Sequence, residues 1–182
     1  MKKILVLTLV SFLIMGFASS VMAENSSLEI IGDGQNATTF STERNAGDYV
    51  EALMALTEAD SAGDIIYPDD NEFRYLFVPL KKDGDIIAYG TWVNTVVYQH
   101  PEDIIVAVKP DGSILKWQPL DSNDHHPEMK DEEYLSRFYG MTLDTPFNPE
   151  TDVISGSTIS TNNFFFEMRN VLLVYNKYIA AE

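Results

Sequence analysis

The stretch IIVAVKPDGSILKWQPL, residues 104–120, decides the fold of this chain. It contains two runs rich in β-branched and apolar residues, Ile104–Val108 and Ile114–Leu120, separated by Pro110-Asp111-Gly112. An Asp-Gly pair between two such runs is a strong sequence signal for a β-hairpin. The stretch therefore predicts two antiparallel strands joined by a tight turn.

A similar pattern precedes this hairpin. Phe73–Leu80 alternates as a strand does, Lys82-Asp83-Gly84 is typical of a turn, and Ile86–Tyr98 is a long run of β-branched and aromatic residues. Gly90 inside the long run indicates a bulge or a close backbone contact. We interpret His100 as a turn residue. Two hairpins in succession predict an antiparallel sheet.

Helical patterns flank the predicted sheet, because apolar residues recur there at intervals of three and four. The N-terminal helix is predicted to start at Ser41, with Ser41 or Thr42 as its N-cap, and to end at a break at Ala59–Asp64. A short helix is predicted at Glu132–Phe138, capped by Asp131, and a final helix at Asn162–Tyr178. The pattern as a whole predicts an α+β domain, in which an antiparallel sheet built from hairpins packs with an N-terminal and a C-terminal helix.

The N-terminus has the pattern of a secretory signal. Met1-Lys2-Lys3 is followed by the uncharged apolar run Ile4–Ala18 and by Val21-Met22-Ala23, a small-x-small site suited to signal peptidase. The run is short for a membrane span, which needs about 20 residues. We therefore expect residues 1–23 to be a cleaved signal, 24–40 a flexible leader and 41–182 a single domain, in the periplasm or outside the cell.

Charge and cysteine content narrow the classes of function. The formal charge is −16, and removal of the signal would take away Lys2 and Lys3 and no acid. So acidic a chain repels a phosphate backbone, which argues against nucleic acid as a partner. The chain has no cysteine, which excludes disulfides, iron–sulfur clusters held by thiolates and thiol nucleophiles. Any redox chemistry would have to come from a bound cofactor.

The segment DVISGSTIST, residues 152–161, is the strongest candidate for a binding site. It leads directly into the apolar, helix-like stretch Phe164–Ile179. A helix start leaves its first backbone N–H groups unpaired and carries partial positive charge, so a phosphate can bind there. Gly156 permits a turn and a close approach. The alternative is an ordinary helix-capping cluster, since Ser and Thr are preferred at any helix N-terminus.

The segment resembles the signature of the FMN-binding domain found in flavin-carrying periplasmic subunits of sodium-pumping NADH:quinone and ferredoxin:NAD oxidoreductases. That signature reads Asp-x-x-Ser/Thr-Gly-Ala-Thr. The resemblance implies that Thr158 is esterified by the phosphate of FMN through a flavin transferase, that Ser155, Gly156 and Ser157 shape the loop, and that Asp152 holds its turn. Ser157 stands where the family usually has alanine, which adds a second candidate hydroxyl.

The order of elements before the signature also resembles this family. A hairpin at residues 103–120 is followed by His125-His126-Pro127-Glu128-Met129 and by a short Phe/Leu-containing helix that ends at Gly140. The family has a Glu-Thr-Pro-type segment near the flavin at this loop, so the resemblance places Glu128 near the cofactor, although the order here is His-Pro-Glu. Phe164 or Tyr139 are the candidates to stack on the flavin ring.

A metal site is the competing interpretation of this loop. Five possible ligands occur within eight residues: Asp121, Asp124, His125, His126 and Glu128. The loop has neither the His-Glu-x-x-His helix motif nor the glycine of an EF-hand, so a solvated acidic loop is favoured over a metal centre.

These patterns lead to one expectation and two alternatives. We expect an exported flavoprotein with covalent FMN that passes electrons between a membrane-bound reductase or cytochrome and another carrier, after maturation by a flavin transferase. The alternatives are a cofactor-free secreted binding module and a protein that binds FMN noncovalently.

Overall fold

The computed structural model of the chain describes residues 46–68, 75–97, 100–120, 130–146 and 158–180. The strands are β1 (Ser61–Ala62), β2 (Val78–Lys82), β3 (Asp85–Val97), β4 (His100–Val108) and β5 (Ile114–Pro119). The helices are α1 (Ala46–Thr57), α2 (Glu132–Leu135), which a 3₁₀ turn extends at Ser136–Phe138, and α3 (Thr158–Val174), which a π-helical turn extends at Tyr175–Ile179. Among these described elements, no helix has the length and apolar character needed to cross a membrane.

The five strands form one antiparallel sheet in the order β1-β2-β3-β4-β5. Both predicted hairpins are present, with turns at Asp83-Gly84 and at residues 110–113. The sheet and its flanking helices confirm the predicted α+β class. The two-residue strand β1 was not predicted, because it pairs with β2 inside the segment interpreted as a helix break.

Successive side chains of β3 and β4 point alternately to the two faces of the sheet, so each face carries one part of the core. One face carries Tyr89, Thr91, Val93 and Thr95 of β3, together with the β4 residues that pair with them. The last of these β4 partners is Glu102, which pairs with Thr95. Gly90, Trp92 and Asn94 point to the other face. The first face packs against α3 and α2, and the second packs against α1. Both faces are therefore covered.

α1 is held on the sheet by one aromatic stack and by a hydrogen bond to one carboxylate. The ring of Tyr49 stacks on Trp92, with centroids 5.5 Å apart. The Tyr49 hydroxyl donates to Asp103 Oδ2 at 2.6 Å, and Asn94 Nδ2 donates to Asp103 Oδ1 at 2.6 Å. Because Asn94 and Asp103 are paired across β3 and β4, this network ties α1 to the middle of the sheet.

The last turns of α3 contact the turn between β4 and β5. Gly112 has a φ of +82°, and a Cβ there would lie 3.1 Å from Asn176 Oδ1. Asn176 Nδ2 donates to the Leu172 carbonyl at 2.8 Å, which holds the amide in place. The Tyr175 ring packs on Tyr89 and Phe77. The C-terminal end of α3 is thus fixed beside the start of β3.

Three predictions from the sequence need correction. The final helix begins at Thr158 rather than Asn162, because burial of its apolar side chains outweighs the small helix preference of Thr and Ser. His100 is the first residue of β4 and pairs with Val97, since a residue before proline is pushed into extended backbone. Asp131 occupies the N-cap of α2, but its side chain makes no capping bond.

The N-terminal part of the predictions lies mostly outside the described residues. The signal at 1–23, the leader at 24–40 and the N-cap at Ser41 or Thr42 all precede Ala46. The described part of that helix ends at Thr57, and Glu58 takes a left-handed φ of 57°. The predicted break from Ala59 is therefore confirmed.

Gly90 makes a close contact rather than a bulge, and this generates a stability prediction. A Cβ at Gly90 would lie 2.7 Å from Leu53 Cδ1, and Leu53 is fully buried. Gly90→Ala should lower the free energy of unfolding by about 1–3 kcal/mol through overpacking, measured by urea denaturation. Gly47→Ala is the matched control, because nothing lies within 4 Å of that Cβ. It should stabilise the protein by about 0.5–1 kcal/mol. Equal effects would contradict the assigned packing.

Candidate functional site

The residue predicted to carry the cofactor begins the C-terminal helix. Thr158 is the first residue of α3, a helix of 17 residues with no acidic residue in its first turn. The other predicted site residues, Asp152, Ser155, Gly156, Ser157 and Glu128, lie outside the described residues. The alternative metal ligands of residues 121–128 lie outside them as well. Within the described ranges, no three potential metal-binding side chains are grouped to hold an ion.

One flank of the start of α3 packs against α2 and β5. Thr161 is fully buried and interacts with the phenol of Tyr134. The Tyr134 ring meets Trp117 edge-on at 6.1 Å, and the Phe164 ring lies 5.0 Å from Trp117. The Trp117 indole donates from Nε1 to the Leu135 carbonyl at 3.0 Å. This aromatic cluster anchors the first two turns of the helix.

The aromatic residues proposed for a flavin ring have other partners here. Phe164 is only 1 % exposed and belongs to the core, so its predicted stacking role is wrong for this arrangement. Tyr139 is half-buried, and its hydroxyl donates to Glu132 Oε2 at 3.3 Å. Burial raises the pKa of Tyr139 to about 12, with a further contribution from Glu132. Of the three consecutive phenylalanines, only Phe166 is substantially exposed, at 47 %.

A neighbouring side of α3 carries a buried acid. Glu167 is fully buried and accepts a hydrogen bond from the hydroxyl of Tyr75, which is itself fully buried. Burial raises the pKa of Tyr75 well above its ordinary value, and the neighbouring Glu167 carboxylate raises it further, while Asn170 opposes both. The pair joins α3 to the segment that leads into β2.

The contacts of α3 give its direction over the sheet. Tyr175 contacts Tyr89 at the beginning of β3, and Glu167 contacts Tyr75 farther along the sheet. From Glu167 to Tyr175 the helix covers about 12 Å at about 1.5 Å per residue, and over this length it runs antiparallel to β3. Earlier along the helix, Phe164 packs on Trp117 of β5.

Polar side chains are concentrated between α3 and the sheet. We call this set the polar layer. Its members are Thr91, Thr95 and Glu102 from the sheet and Thr161, Asn163 and Glu167 from α3, and each is at most 3 % exposed. Thr95 and Glu102 are direct cross-strand partners, so their side chains lie side by side on the face toward α3.

A buried polar layer is unfavourable for stability unless its groups are satisfied. An apolar face would pack the same two elements together without that cost, so such a layer suggests a role in binding or chemistry. Sequence reasoning missed it. Two features of the sequence could have revealed it. The two-residue period of β4 places Glu102 on the same face as Ile104, Val106 and Val108, and Glu167 lies within the apolar stripe of α3.

No model of a known protein family and no curated protein matches this chain. The resemblance to the FMN-binding domain therefore depends on the motif at residues 152–158 and on the order of elements before it.

The buried phenols predict loss of stability at high pH. The pKa values of Tyr75 and Tyr134 are raised in the folded protein, chiefly by burial, above the ordinary value of 10.0. Above that pH the unfolded chain releases these protons first, so the free energy of unfolding should fall, by at most about 1.4 kcal/mol per pH unit for each buried phenol. Urea denaturation at about pH 9 and about pH 11 measures the fall.

A variant assigns this effect to one residue. Tyr75→Phe should make the decline between the two pH values shallower, whereas Tyr67→Phe, which removes a phenol that is 53 % exposed, should leave it unchanged. Stability that is the same at about pH 9 and about pH 11 would contradict the burial of these phenols.

Proposed function

We propose that the protein is an exported flavoprotein that carries FMN covalently through a phosphoester to Thr158 and acts as an electron-transfer carrier. One observation carries the proposal: Thr158, the last residue of the flavin-type motif, is the first residue of α3. A covalent tether keeps the cofactor on the protein through every redox cycle, which suits a carrier that turns over no small substrate.

The start of α3 is suited to hold a phosphate. The first N–H groups of a helix have no partner within the helix, and its dipole adds partial positive charge. The first turn contains no acid to oppose an anion. This matters because the chain as a whole is strongly acidic, so a phosphate must be stabilised by local backbone groups rather than by the overall field.

A buried polar atom near this helix start fits a ligand with hydroxyl and N–H groups. Oδ1 of Asn162, in the second turn of α3, has no hydrogen-bond partner among the described residues. FMN offers hydroxyls on its ribityl chain and an N–H and carbonyls on its ring. When bound, it supplies reversible electron transfer, while the helix start holds the phosphate and the surrounding aromatic cluster excludes water.

Attachment requires an activated donor, because direct condensation of a hydroxyl with a phosphate releases water and is unfavourable in water. A flavin dinucleotide meets this need. The hydroxyl oxygen of Thr158 would bond to the phosphorus on the FMN side, the phosphoanhydride bond would break, AMP would leave, and the hydroxyl proton would pass to a base on the flavin transferase. The added mass equals FMN minus water.

The proposed partners come from the resemblance to the FMN-binding domain, and the charge of the chain affects how they would meet. We propose a membrane-bound reductase or cytochrome as redox partner and a flavin transferase for maturation. Without the signal the formal charge becomes −18, since Lys2 and Lys3 are lost. Such a carrier would associate fastest with a positively charged docking surface, and the rate would fall as salt screens the attraction.

A second candidate is a cofactor-free secreted binding module. It is favoured by the finding that Thr158, Ser160 and Thr161 all lie in the first turn of α3, where hydroxyl residues are common for structural reasons alone. A flavin absorbance that survives denaturation and desalting separates the two, and a flavin released by denaturation would indicate noncovalent FMN.

The attachment prediction uses matched variants of neighbouring hydroxyls. Co-expressed in the periplasm with a flavin transferase, the wild-type protein should gain the mass of FMN minus water, measured on the intact protein. Thr158→Ala should lose this mass, and Ser157→Ala should keep it. Modification that moves to Ser157 in Thr158→Ala would refute a unique acceptor, and unmodified wild-type protein would refute covalent attachment.

The export prediction concerns the N-terminus. N-terminal sequencing of exported protein should begin at Glu24, because Val21-Met22-Ala23 fits signal peptidase. Replacement of Ala23 by a bulky residue, Ala23→Phe, should leave the precursor uncleaved. A mature protein that retains residues 4–18 and sediments with membranes would show an anchor instead of a signal.

A further inference from the structure

The outer face of α3 carries two large apolar side chains in line. Phe166 is 47 % exposed and Leu173 is 45 % exposed, although Phe164, Met168 and Leu172 of the same helix are buried. Residues seven apart in sequence lie two turns apart on one face of a helix, about 10 Å from each other at about 1.5 Å per residue. A single exposed apolar side chain is ordinary on a protein surface, but an aligned pair on one helix face is a candidate for contact with another molecule.

Two cations accompany these apolar side chains. Arg169 is exposed and lies between them in sequence, three residues after Phe166 and four before Leu173. Lys177 is exposed and follows Leu173 by four residues, and its ammonium lies over the ring of Tyr178, 4.8 Å from the centroid. At these spacings the side chains of residues 166, 169, 173 and 177 are neighbours on the helix surface. We call this set the α3 row.

The charge of the α3 row is opposite to that of the chain. The chain has 28 acidic and 12 basic residues, which give a formal charge of −16. From residue 158 to residue 180, by contrast, the sequence contains two cations and one acid, Glu167, and this acid is fully buried. The residues of α3 therefore present positive charge and apolar surface on the outer side of an acidic protein.

We propose that the α3 row is a docking surface for an acidic amphipathic helix of another protein. Apolar side chains of that helix pack on Phe166 and Leu173, and carboxylates beside them pair with Arg169 and Lys177, as flanking charges select partners in coiled coils. This charge preference is opposite to that of the proposed redox partner. The inference therefore concerns a separate partner and does not depend on the proposed function.

Two other occupants fit the charges less well. A second copy of this chain, packed row against row, would bring Arg169 and Lys177 of the two copies together, and the net negative charge of both copies would add to the repulsion. An anionic membrane would attract the cations of the row and repel the rest of the acidic chain. An acidic helix meets the row alone, so its carboxylates gain the local attraction.

The test is a titration of nitrogen-15-labelled protein with a synthetic peptide, in which NMR shifts of the backbone amides give both the affinity and the site. The peptide is an amphipathic helix about four heptads long, with Leu at the two apolar positions of each heptad and Glu at the flanking positions, where mutual repulsion opposes self-pairing. The matched control peptide has Lys in place of each Glu. The Glu peptide should shift amides of α3, and the Lys peptide should shift none.

Surface substitutions separate the charged from the apolar contribution. Arg169→Gln and Lys177→Gln should each weaken binding of the Glu peptide by about 2–5-fold, and this difference should vanish at about 1 M salt, where the Debye length is about 3 Å. Leu173→Ala should weaken binding by about fivefold or more at either salt concentration. Lys116→Gln is the matched control, because Lys116 pairs with Ala107 on the face toward α1, and it should leave the affinity unchanged.

The proposal is overturned if the Glu peptide does not bind, if the two peptides bind equally, or if Lys116→Gln weakens binding as much as Lys177→Gln does. A dimer in sedimentation velocity that Leu173→Ala abolishes would assign the α3 row to a second copy instead. Sedimentation with phosphatidylglycerol vesicles that requires Arg169 and Lys177 would assign it to a membrane. Each of these results leaves the proposed function untouched, since attachment of flavin at Thr158 is measured separately by mass.

Discussion

The pairing of β3 with β4 is the interaction on which the rest of this structure depends. Nine residue pairs join the two strands, from Tyr89–Val108 to Val97–His100. Because successive side chains of a strand point to opposite faces, this one ladder determines which residues meet α1 and which meet α3. A shift by one residue would exchange the two sets, bringing Thr95 and Glu102 under α1 and Trp92 under α3.

That constraint explains why the sheet was predictable from sequence. Asp111-Gly112 and Asp83-Gly84 mark the turns, and the β-branched runs between them have the length of strands, so local chemistry and tertiary pairing agree. β1 was missed because two residues carry no periodic signal and pair only when β2 is already in place. The start of α3 was misplaced by four residues, because its hydroxyl side chains favour caps locally, while the burial of Phe164 and Phe165 extends the helix.

The candidate site was predictable only in part. The motif at residues 152–158 identified the helix start, and Thr158 is indeed at the first position of α3. The polar layer comes from three separate elements, and Glu102 of β4 faces the helix that carries Glu167 only because of strand register and helix direction. A single sequence contains no direct record of either. Phe164 shows the opposite error, since closeness to the motif suggested a ligand contact where the fold required a core residue packed on Trp117.

The contact between Asn176 and Gly112 affects how α3 can move. Its C-terminal end is held against the β4–β5 turn, where the absence of a Cβ on Gly112 leaves room for the Asn176 amide, and Tyr175 packs on Tyr89 and Phe77. The other end of the helix is anchored by the aromatic cluster of Trp117, Tyr134 and Phe164. The helix is therefore held near both of its ends, and a load applied at Thr158 would be passed along it to the β4–β5 turn.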